Sequence, residues 1–329
     1  MKLAIVGITG LVGQNILKVL DEFNFQYDKL IGIASEKSIG RILDVRGKQI
    51  EICSLEEAVK QNADIAIFSA GKDISLKWAQ KFAEKGTFVV DNSSAWRMDD
   101  NKKLIVPEVN IETLTKDDKI IANPNCSTIQ LVLILSVLHK EFGLKRVVVS
   151  TYQSVSGSGQ KGINQLLENR EGTIPKNPAY PHQIDLNCLP CGGAFLENGY
   201  SEEELKLTYE SRKILGLPAL KITATVVRVP VTGGHSESVN IEFENKPDIS
   251  KVFEILKSTE GVVVQDNPTE NLYPMPITAE GKNDVFVGRI RIDNSCENAI
   301  NLWIVADNLR KGAATNAVQI AQYIQKRFI

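Results

Sequence analysis

The chain has 329 residues, of which 43% are hydrophobic and 24% are charged, and its formal net charge is -2 at pH 7. This length favours two domains, because single hydrophobic cores stop growing below it, and the apolar fraction excludes a disordered chain. The balanced charge excludes the broad basic surface that binds nucleic acid. The lack of a signal-like segment and of an apolar run of about 18 residues predicts a cytoplasmic protein without a membrane partner.

The first part of the sequence alternates short apolar runs with helical patterns. It opens with a strand at Lys2–Val6, passes through a glycine turn and enters a helix at Leu11–Glu22. Later segments repeat this alternation, with strands at Leu30–Ala34, Ile65–Ser69, Phe88–Val90 and Lys119–Ala122 and helices at Leu55–Gln61 and Ile74–Lys85. The order predicts an α/β fold with an N-terminal Rossmann-type domain, whose largely parallel sheet is covered on both faces.

The pattern changes after Cys126. An apolar helix at Ile129–Leu138 precedes long strand-like runs. The runs are Arg146–Gln153, Lys221–Val231, Ser238–Phe243, Val285–Asp293 and Ala299–Ala306. Turns join neighbouring strands here, which favours an α+β domain with a mixed sheet. We expect residues 1–127, with a returning C-terminal segment 307–329, to form the first domain, and residues 128–306 to form the second.

A glycine turn connects the first strand to the first helix. Its sequence is a G-x-x-G-x-x-G variant of the dinucleotide fingerprint. Glycine lets the backbone approach a pyrophosphate, and the N–H groups at the start of a helix attract the anion. This position predicts nucleotide binding, with a purely structural turn as the alternative. The predicted contacts are Gly7, Thr9, Gly10, Leu11, Val12 and Gly13.

The end of the second strand bears on the choice of nucleotide. Enzymes of this fold that use NAD usually place Asp or Glu there, to bind the ribose 2′-hydroxyl. This chain has Ser35, Lys37 and Ser38, whose hydroxyls and ammonium suit a 2′-phosphate and therefore favour NADP(H). Glu36 lies between them and leaves NAD as the alternative.

One cysteine and one histidine are candidates for the chemistry. Cys126 lies in Pro124–Thr128, between an apolar strand and an apolar helix. Cysteines in apolar surroundings are usually inert, but a helix start lowers the pKa of a thiol, so this setting predicts a nucleophile. His235 follows two glycines, which predict a loop that presents the imidazole as an acid/base without burying it.

Eight short segments follow one another in a characteristic order. They are Gly7–Gly13, Asp91–Arg97, Pro107–Asn110, Pro124–Thr128, Gln153–Gly157, Arg228–Val231, His235–Ser238 and Asp307–Ala314. Together they resemble the motif series of the aspartate-semialdehyde dehydrogenase family, from the first strand to the last helix. The resemblance implies NADPH-dependent reductive dephosphorylation of L-4-aspartyl phosphate to L-aspartate 4-semialdehyde through a cysteine thioester. It also implies a homodimer that serves lysine, methionine and threonine biosynthesis, with a catalytic and dimerisation role for the second domain.

The same resemblance assigns the reacting groups. Cys126 matches the family's nucleophile, His235 its acid/base, and Gln153 the residue that orients the acyl group. Arg97 matches the arginine that binds phosphate, with Asn125 as a further donor. A guanidinium can bind phosphate through two parallel hydrogen bonds, which an ammonium cannot.

The substrate's charged amino-acid end requires its own anchors. Arg228 lies in an apolar strand, where an unpaired charge is costly, and by resemblance it binds the substrate carboxylate. Glu203 and Lys206 are three residues apart on one helical face and match residues that hold the ammonium and the phosphate. Alone, this spacing would indicate a solvated ion pair. The offset to Lys206 selects Glu203 over Glu204 as the anionic anchor.

Further cofactor contacts come from three places in the chain. Ser156 and Gly157 match a loop near the nicotinamide, and Asn308 matches a late polar contact. Ser69 and Gly71 follow a strand at the switch side of the sheet, where ligands usually bind.

Three features leave alternatives open. The family commonly has arginine at the position of Lys37, which weakens the preference for a 2′-phosphate. Cys188 and Cys191 form a lone C-x-x-C that is not typical of the family; since no second pair completes four ligands, we predict no metal. Gly172–Asn187 contains three prolines and predicts a surface excursion, with a dimer or substrate element as the alternative.

Two other functions compete with this interpretation. An N-acetyl-glutamyl-phosphate reductase or a glyceraldehyde-3-phosphate dehydrogenase uses the same thioester chemistry, but its substrate lacks a free α-amino group beside an acyl phosphate. Glu203, Lys206 and Arg228 therefore argue against it. A nucleotide-binding regulator without turnover would be expected to have lost Cys126 or His235, and the chain retains both.

Overall fold

The computed structural model describes all 329 residues. The strands are β1 Lys2–Val6, β2 Lys29–Ile33, β3 Ile42–Val45, β4 Lys48–Glu51, β5 Ile65–Phe68, β6 Phe88–Asp91, β7 Lys103–Leu104, β8 Ile120–Ala122, β9 Leu144–Gln153, β10 Lys221–Arg228, β11 His235–Phe243, β12 Val262–Val264, β13 Val285–Ile292 and β14 Ala299–Ala306. The helices are α1 Leu11–Glu22, α2 Leu55–Lys60, α3 Lys72–Ala83, α4 Pro107–Asn110, α5 Cys126–Phe142, α6 Gly159–Arg170, α7 Glu202–Leu215, α8 Ile249–Ser258, α9 Pro276–Ala279 and α10 Asn316–Phe328.

One compact unit comprises Met1–Asn125 and Ala313–Ile329. Its main sheet has the order β2-β1-β5-β6-β8-β7, and every pairing is parallel. β1 and β5 are buried on both faces because helices cover them, as expected for parallel strands. The chain order reverses between these two strands, and their carboxyl ends therefore flank the switch point at which such sheets bind ligands. The predicted Rossmann-type sheet is confirmed.

The other compact unit comprises Cys126–Gly312. Its sheet has the order β10-β9-β11-β14-β13-β12 and mixes parallel with antiparallel pairs. α5 is buried along almost its whole length and contributes to the core that Val147, Val149, Val239 and Ile241 form on one face of the sheet. The predicted mixed sheet is therefore also confirmed. The boundaries at 127/128 and 306/307 stay predictions for the functional domains.

Two segments differ from their predicted form. His235 does not lie in an open loop: it is the first residue of β11 and is fully buried. The apolar pattern at the end of the C-terminal segment predicts one helix at Lys311–Phe328, but a π-helical turn at Arg310–Thr315 precedes α10. No helix has both the length and the apolar composition needed to cross a membrane. The cytoplasmic location stays a prediction.

Candidate active site

The glycine turn of the first unit is built by close backbone packing. Gly7 has a φ of +88°, and a Cβ there would lie 2.7 Å from the carbonyl oxygen of Ser69. A Cβ on Gly13 would lie 2.2 Å from the carbonyl oxygen of Gly7. Both distances are shorter than any real contact, so residues with side chains cannot occupy these two positions without moving the backbone.

The turn leaves the start of α1 open to an anion. Gly10 precedes the helix and provides no side chain to cap the N–H groups of the first turn. Beside it is a cavity of about 280 Å³ whose lining includes Gly7, Thr9, Gly10, Ser35 and Ser69. An uncapped helix start beside a cavity fits a dinucleotide, and these predicted contacts lie together there.

Other predicted cofactor residues in this unit lie outside that cavity. Leu11, Val12 and Gly13 form the first turn of α1, and Gly71 directly precedes α3. Lys37 is exposed and Ser38 is buried in the short turn that follows β2. Lys37 is consequently free to reach a ligand at the cavity mouth, whereas the Ser38 side chain is less accessible.

Arg97 is a buried cation of the same unit. Its Nε donates to the carbonyl of Asn123 at 2.9 Å, and its Nη2 donates to the carbonyl of Asn92 at 2.9 Å. Both acceptors are backbone carbonyls, and they fix the orientation of the guanidinium. Asn125 is also buried and directly precedes the candidate nucleophile in the chain.

Cys126 occupies the place predicted for it, because it is the first residue of α5. Its side chain is half-buried. A Cβ on Gly312 would lie 2.8 Å from the Cβ of Cys126, so a glycine is needed beside the nucleophile. The partial positive charge of a helix start favours a thiolate at this position.

His235 is held by the backbone at one ring nitrogen and has no partner at the other. Nδ1 accepts the amide proton of Ser154 at 3.1 Å, so a neutral ring carries its proton on Nε2. Nε2 is buried without a hydrogen-bond partner. A Cβ on Gly157 would lie 3.2 Å from Nε2, and the glycine therefore leaves room for a substrate atom there.

The surroundings of His235 keep its ring uncharged. Complete burial, followed by the positive charge of Arg228, lowers the pKa of His235 to about 3. At neutral pH the imidazole is therefore a neutral hydrogen-bond donor.

Gln153 lies beside His235 on the neighbouring strand, as β9 and β11 place the two residues opposite each other. Its Nε2 donates to the hydroxyl of Ser127 at 3.0 Å, in the first turn of α5. Its Oε1 is buried without a partner. Cys126 begins the same helix turn, so Gln153 connects β9, the strand next to the candidate acid/base, to the helix of the nucleophile.

Arg228 is buried and incompletely paired. Its Nη1 donates to the carbonyl of Ser154 at 2.9 Å, while its Nε has no hydrogen-bond partner. The Tyr180 ring lies 5.9 Å from its guanidinium carbon. Burial raises the pKa of Tyr180, with Arg228 opposing and Glu203 adding to the rise, so both charges lie near this phenol.

The structure also separates Glu203 from Glu204. Glu204 is buried and accepts the backbone N–H groups of Ser201 and Val226, at 2.6 and 3.0 Å, so it caps α7. Glu203 and Lys206 are only partly buried, one turn apart on the same helix. Glu203, unlike Glu204, is partly exposed and does not cap the helix.

Ser156 and Asn308, predicted near the nicotinamide, form a buried network with Ser154. The Ser154 hydroxyl donates to Asn308 Oδ1 at 2.9 Å, and Asn308 Nδ2 donates to the Ser156 hydroxyl at 3.0 Å. The network fixes the position of Ser154, whose backbone N–H binds His235. Gly157, next to Ser156 in the chain, is exposed. Sequence reasoning did not assign Ser154 or Tyr180 to the site. Ser154 belongs to the Gln153–Gly157 motif, and this is the one sequence signal for either residue.

The C-x-x-C motif, Cys188 to Cys191, runs beside the strand end that carries Arg228. Cys188 is exposed, and the thiol of Cys191 donates to the carbonyl of Gly193 at 3.1 Å. Leu189, between them, pairs with Arg228 through backbone hydrogen bonds. No three His, Cys, Asp or Glu side chains gather anywhere in the chain at a spacing suited to a metal ion.

Comparisons with known proteins point to one family. Residues 2–117 match the NAD binding domain of semialdehyde dehydrogenases, and residues 135–311 match their dimerisation domain. The aspartate-semialdehyde dehydrogenase of Aquifex aeolicus is 51% identical, with 99% of this chain and 98% of the relative aligned. That of Bacillus subtilis is 43% identical, with 99% and 98% aligned.

Solved structures agree with these sequence matches. The crystal structure of aspartate semialdehyde dehydrogenase II from Vibrio cholerae superposes with a TM-score of 0.95 at 42% identity, over 100% of this chain and 99% of that one. A structure of the Vibrio cholerae enzyme complexed with ASA superposes equally well, at 41% identity and over the same shares of the two chains.

Proposed function

Because this chain belongs to the aspartate-semialdehyde dehydrogenase family, we propose that it reduces L-4-aspartyl phosphate to L-aspartate 4-semialdehyde with NADPH and releases phosphate. This step would supply lysine, methionine and threonine biosynthesis. The arrangement around His235 carries the proposal. A neutral imidazole carries an unpaired N–H next to Gly157. Gln153, opposite His235 on β9, donates to Ser127 in the helix turn that Cys126 begins.

The substrate's charges match the charged groups of the chain. In the proposal Arg228 binds the α-carboxylate, since its buried Nε has no partner in the protein. Glu203 binds the α-ammonium; that Glu203 and Arg228 both act on the pKa of Tyr180 supports this assignment. Arg97, Asn125 and Lys206 bind the phosphate.

Covalent chemistry begins at the sulfur of Cys126. The thiolate attacks the acyl carbon, a carbon–sulfur bond forms, and the bond from carbon to the phosphate oxygen breaks. The phosphate leaves with that electron pair. Gln153 orients the acyl group, and the N–H at Nε2 of His235 donates to the acyl oxygen while it carries negative charge.

Reduction of the thioester completes the reaction. When bound, NADPH supplies a hydride to the thioester carbon. The resulting oxyanion again accepts a hydrogen bond from His235 until it collapses, expels the thiolate of Cys126 and leaves the aldehyde. The thiolate is regenerated in each cycle, so no base is needed to deprotonate Cys126 at every turnover.

The proposed NADP(H) site combines predicted residues from the first unit with predicted residues from the second. Gly7, Thr9, Gly10 and the first turn of α1, Leu11 to Gly13, would bind the pyrophosphate, while Ser35, Lys37 and Ser38 would select the 2′-phosphate. Ser69 and Gly71 would flank the cavity of the first unit. Ser156, Gly157 and Asn308 would contact the nicotinamide end. Residues 1–127 with 307–329 would thus carry the nucleotide, and residues 128–306 the catalysis and dimerisation.

A homodimer is part of the proposal. The face of the mixed sheet opposite α5 carries exposed Tyr152, Thr225 and Ser238. The rings of Tyr152 and Trp303 pack on this face with their centroids 5.3 Å apart. Partly exposed aromatic residues on a sheet face are typical of protein interfaces, which supports pairing through the second unit.

The proposal is tested by following NADPH formation from L-aspartate 4-semialdehyde, phosphate and NADP, with NAD in parallel. Cys126→Ala should lower kcat by at least about a thousandfold, because the nucleophile is lost. Its affinity for NADP, measured by titration calorimetry, should not change. Cys296→Ala is the matched control and should retain full activity. Equal turnover by Cys126→Ala and the unmodified enzyme would disprove the thioester mechanism.

A further inference from the structure

A carboxyl group without an assigned role is buried next to the acid/base. Glu237 follows His235 by two residues on β11, so the two side chains lie on the same face of the sheet. Glu237 is fully buried, and neither of its oxygens has a hydrogen-bond partner. The residues opposite it on the flanking strands are Thr151 and Ile304, neither of which carries a charge.

Gln130 connects this strand to the helix of the nucleophile. It follows Cys126 by four residues on α5, which is about one helical turn. Its Nε2 donates to the backbone carbonyl of His235 at 3.3 Å, while its Oε1 is buried without a partner. The amide thus makes one of the two kinds of hydrogen bond available to it.

Burial favours the uncharged form of the Glu237 carboxyl. Burial raises the pKa of Glu237 well above its ordinary value, and the Gln130 side chain offsets part of the rise. A protonated carboxyl has one O–H donor, and the unpaired Oε1 of Gln130 is an acceptor. The proton therefore supplies a partner for two buried groups that otherwise have none.

We propose, building on the proposed function, that Glu237 is a positioning residue for this reaction. Its uncharged carboxyl donates to Oε1 of Gln130 and so keeps Nε2 of Gln130 on the carbonyl of His235. An ionised carboxylate could not donate; it would attract Nε2 to itself and release that carbonyl. The neutral form therefore maintains the link between the strand of the acid/base and the helix of the nucleophile.

Two substitutions of similar volume separate the hydrogen bond from packing. Glu237→Gln keeps an uncharged donor at this position, and we expect its kcat to stay within about twofold of the wild type. Glu237→Met fills the space without a donor and should lower kcat about tenfold, with an unchanged KM for the semialdehyde and unchanged affinity for NADP. Glu254→Gln, at an exposed glutamate of α8, is the control and should behave as wild type.

The protonation state has its own measurement. A native pKa above the unfolded value means that the proton on Glu237 stabilises the fold at low pH, and this contribution is lost as the pH rises above the ordinary pKa of glutamate. Glu237→Gln cannot lose the proton, so its stability relative to wild type should increase with pH in that range. This urea-denaturation experiment remains decisive if Glu237→Met does not fold. The pH profile of kcat/KM should be the same for Glu237→Gln and wild type.

Three results would overturn the inference. They are normal kcat in folded Glu237→Met, a Glu237→Gln variant as slow as Glu237→Met, and a stability difference between Glu237→Gln and wild type that does not vary with pH. A wild-type enzyme without activity on the semialdehyde would instead refute the proposed function, and the stability comparison would still report on Glu237.

Discussion

The glycine turn of the first unit and the His235 cluster of the second build their sites in opposite ways. The turn works through backbone groups, and side chains must be absent from Gly7 and Gly13 for it to form. The cluster works through side chains, and these are buried with unused hydrogen-bonding atoms, such as Nε2 of His235 and Nε of Arg228. One site therefore depends on steric space, and the other depends on buried polar groups that lack partners within the protein.

The largest effect that tests this contrast is expected from His235→Leu, whose side chain carries no hydrogen-bond donor. Loss of the Nε2 donor should lower kcat about 10²- to 10⁴-fold, because the acyl oxyanion loses its hydrogen bond. Affinity for NADP should stay the same, since the glycine turn is intact. Stopped-flow turnover and calorimetric titration measure the two quantities. A parallel fall in NADP affinity would show that the two regions are not independent in function.

The same variant has a defined effect on stability. The native pKa of His235, about 3, lies below the ordinary value of 6.5. Between these values the unfolded chain binds a proton that the native protein does not, so the wild type loses stability as the pH falls from 6.5 towards 3. His235→Leu lacks this loss, and the difference in unfolding free energy should change by up to about 1.4 kcal/mol per pH unit. Parallel stability curves would contradict a buried neutral imidazole.

Substitutions in the glycine turn test the other side of the comparison. Gly13→Ala should cost about 2 kcal/mol or more, because its Cβ meets backbone that cannot yield without distortion. At Gly10, φ is −78° and a Cβ would be 3.3 Å from the carbonyl oxygen of Gly7, so Gly10→Ala should change stability little. Both variants should bind NADP at least about tenfold more weakly. Thiol labelling of Cys126 should proceed at the wild-type rate in Gly10→Ala; slower labelling would argue against separate sites.

The smallest effect is expected from Lys37→Ala. Lys37 is exposed, so water and salt screen its charge. Affinity for NADP should fall roughly three- to tenfold at low salt, and less at high salt, while affinity for NAD stays constant. Lys48→Ala, at another exposed lysine, is the control. A loss of affinity for both nucleotides would show that Lys37 does not select the 2′-phosphate.

The sequence predicted the glycine turn better than the His235 cluster. Steric requirements at Gly7 and Gly13 leave a direct mark on the sequence, because only one residue type fits. Cys126 was also placed correctly, since the change from an apolar strand to an apolar helix locates the helix start. Both predictions depend on neighbours in the chain, and local rules are sufficient for them.

The state of His235 depends on residues far away in the sequence, and its surroundings could not be predicted. Two preceding glycines suggested an open loop, but Gly234 lies against Pro276 and Gly233 against Glu280, and β11 begins at once. Burial, the neutral ring and the proton on Nε2 all follow from pairing with β9 and from Arg228. Gln130 and Glu237 were missed for the same reason, as strand register and helix packing bring them together.

The burial of α5 has a consequence for how activity is lost. Because the helix is covered along nearly its full length, its amide hydrogens can exchange with solvent only when the surrounding core opens as a whole. The nucleophile Cys126 is the first residue of that helix. We therefore expect Cys126 to lose its position only when the core of the second unit unfolds. Heating should therefore abolish catalysis and the slow-exchanging core of the second unit in one cooperative event.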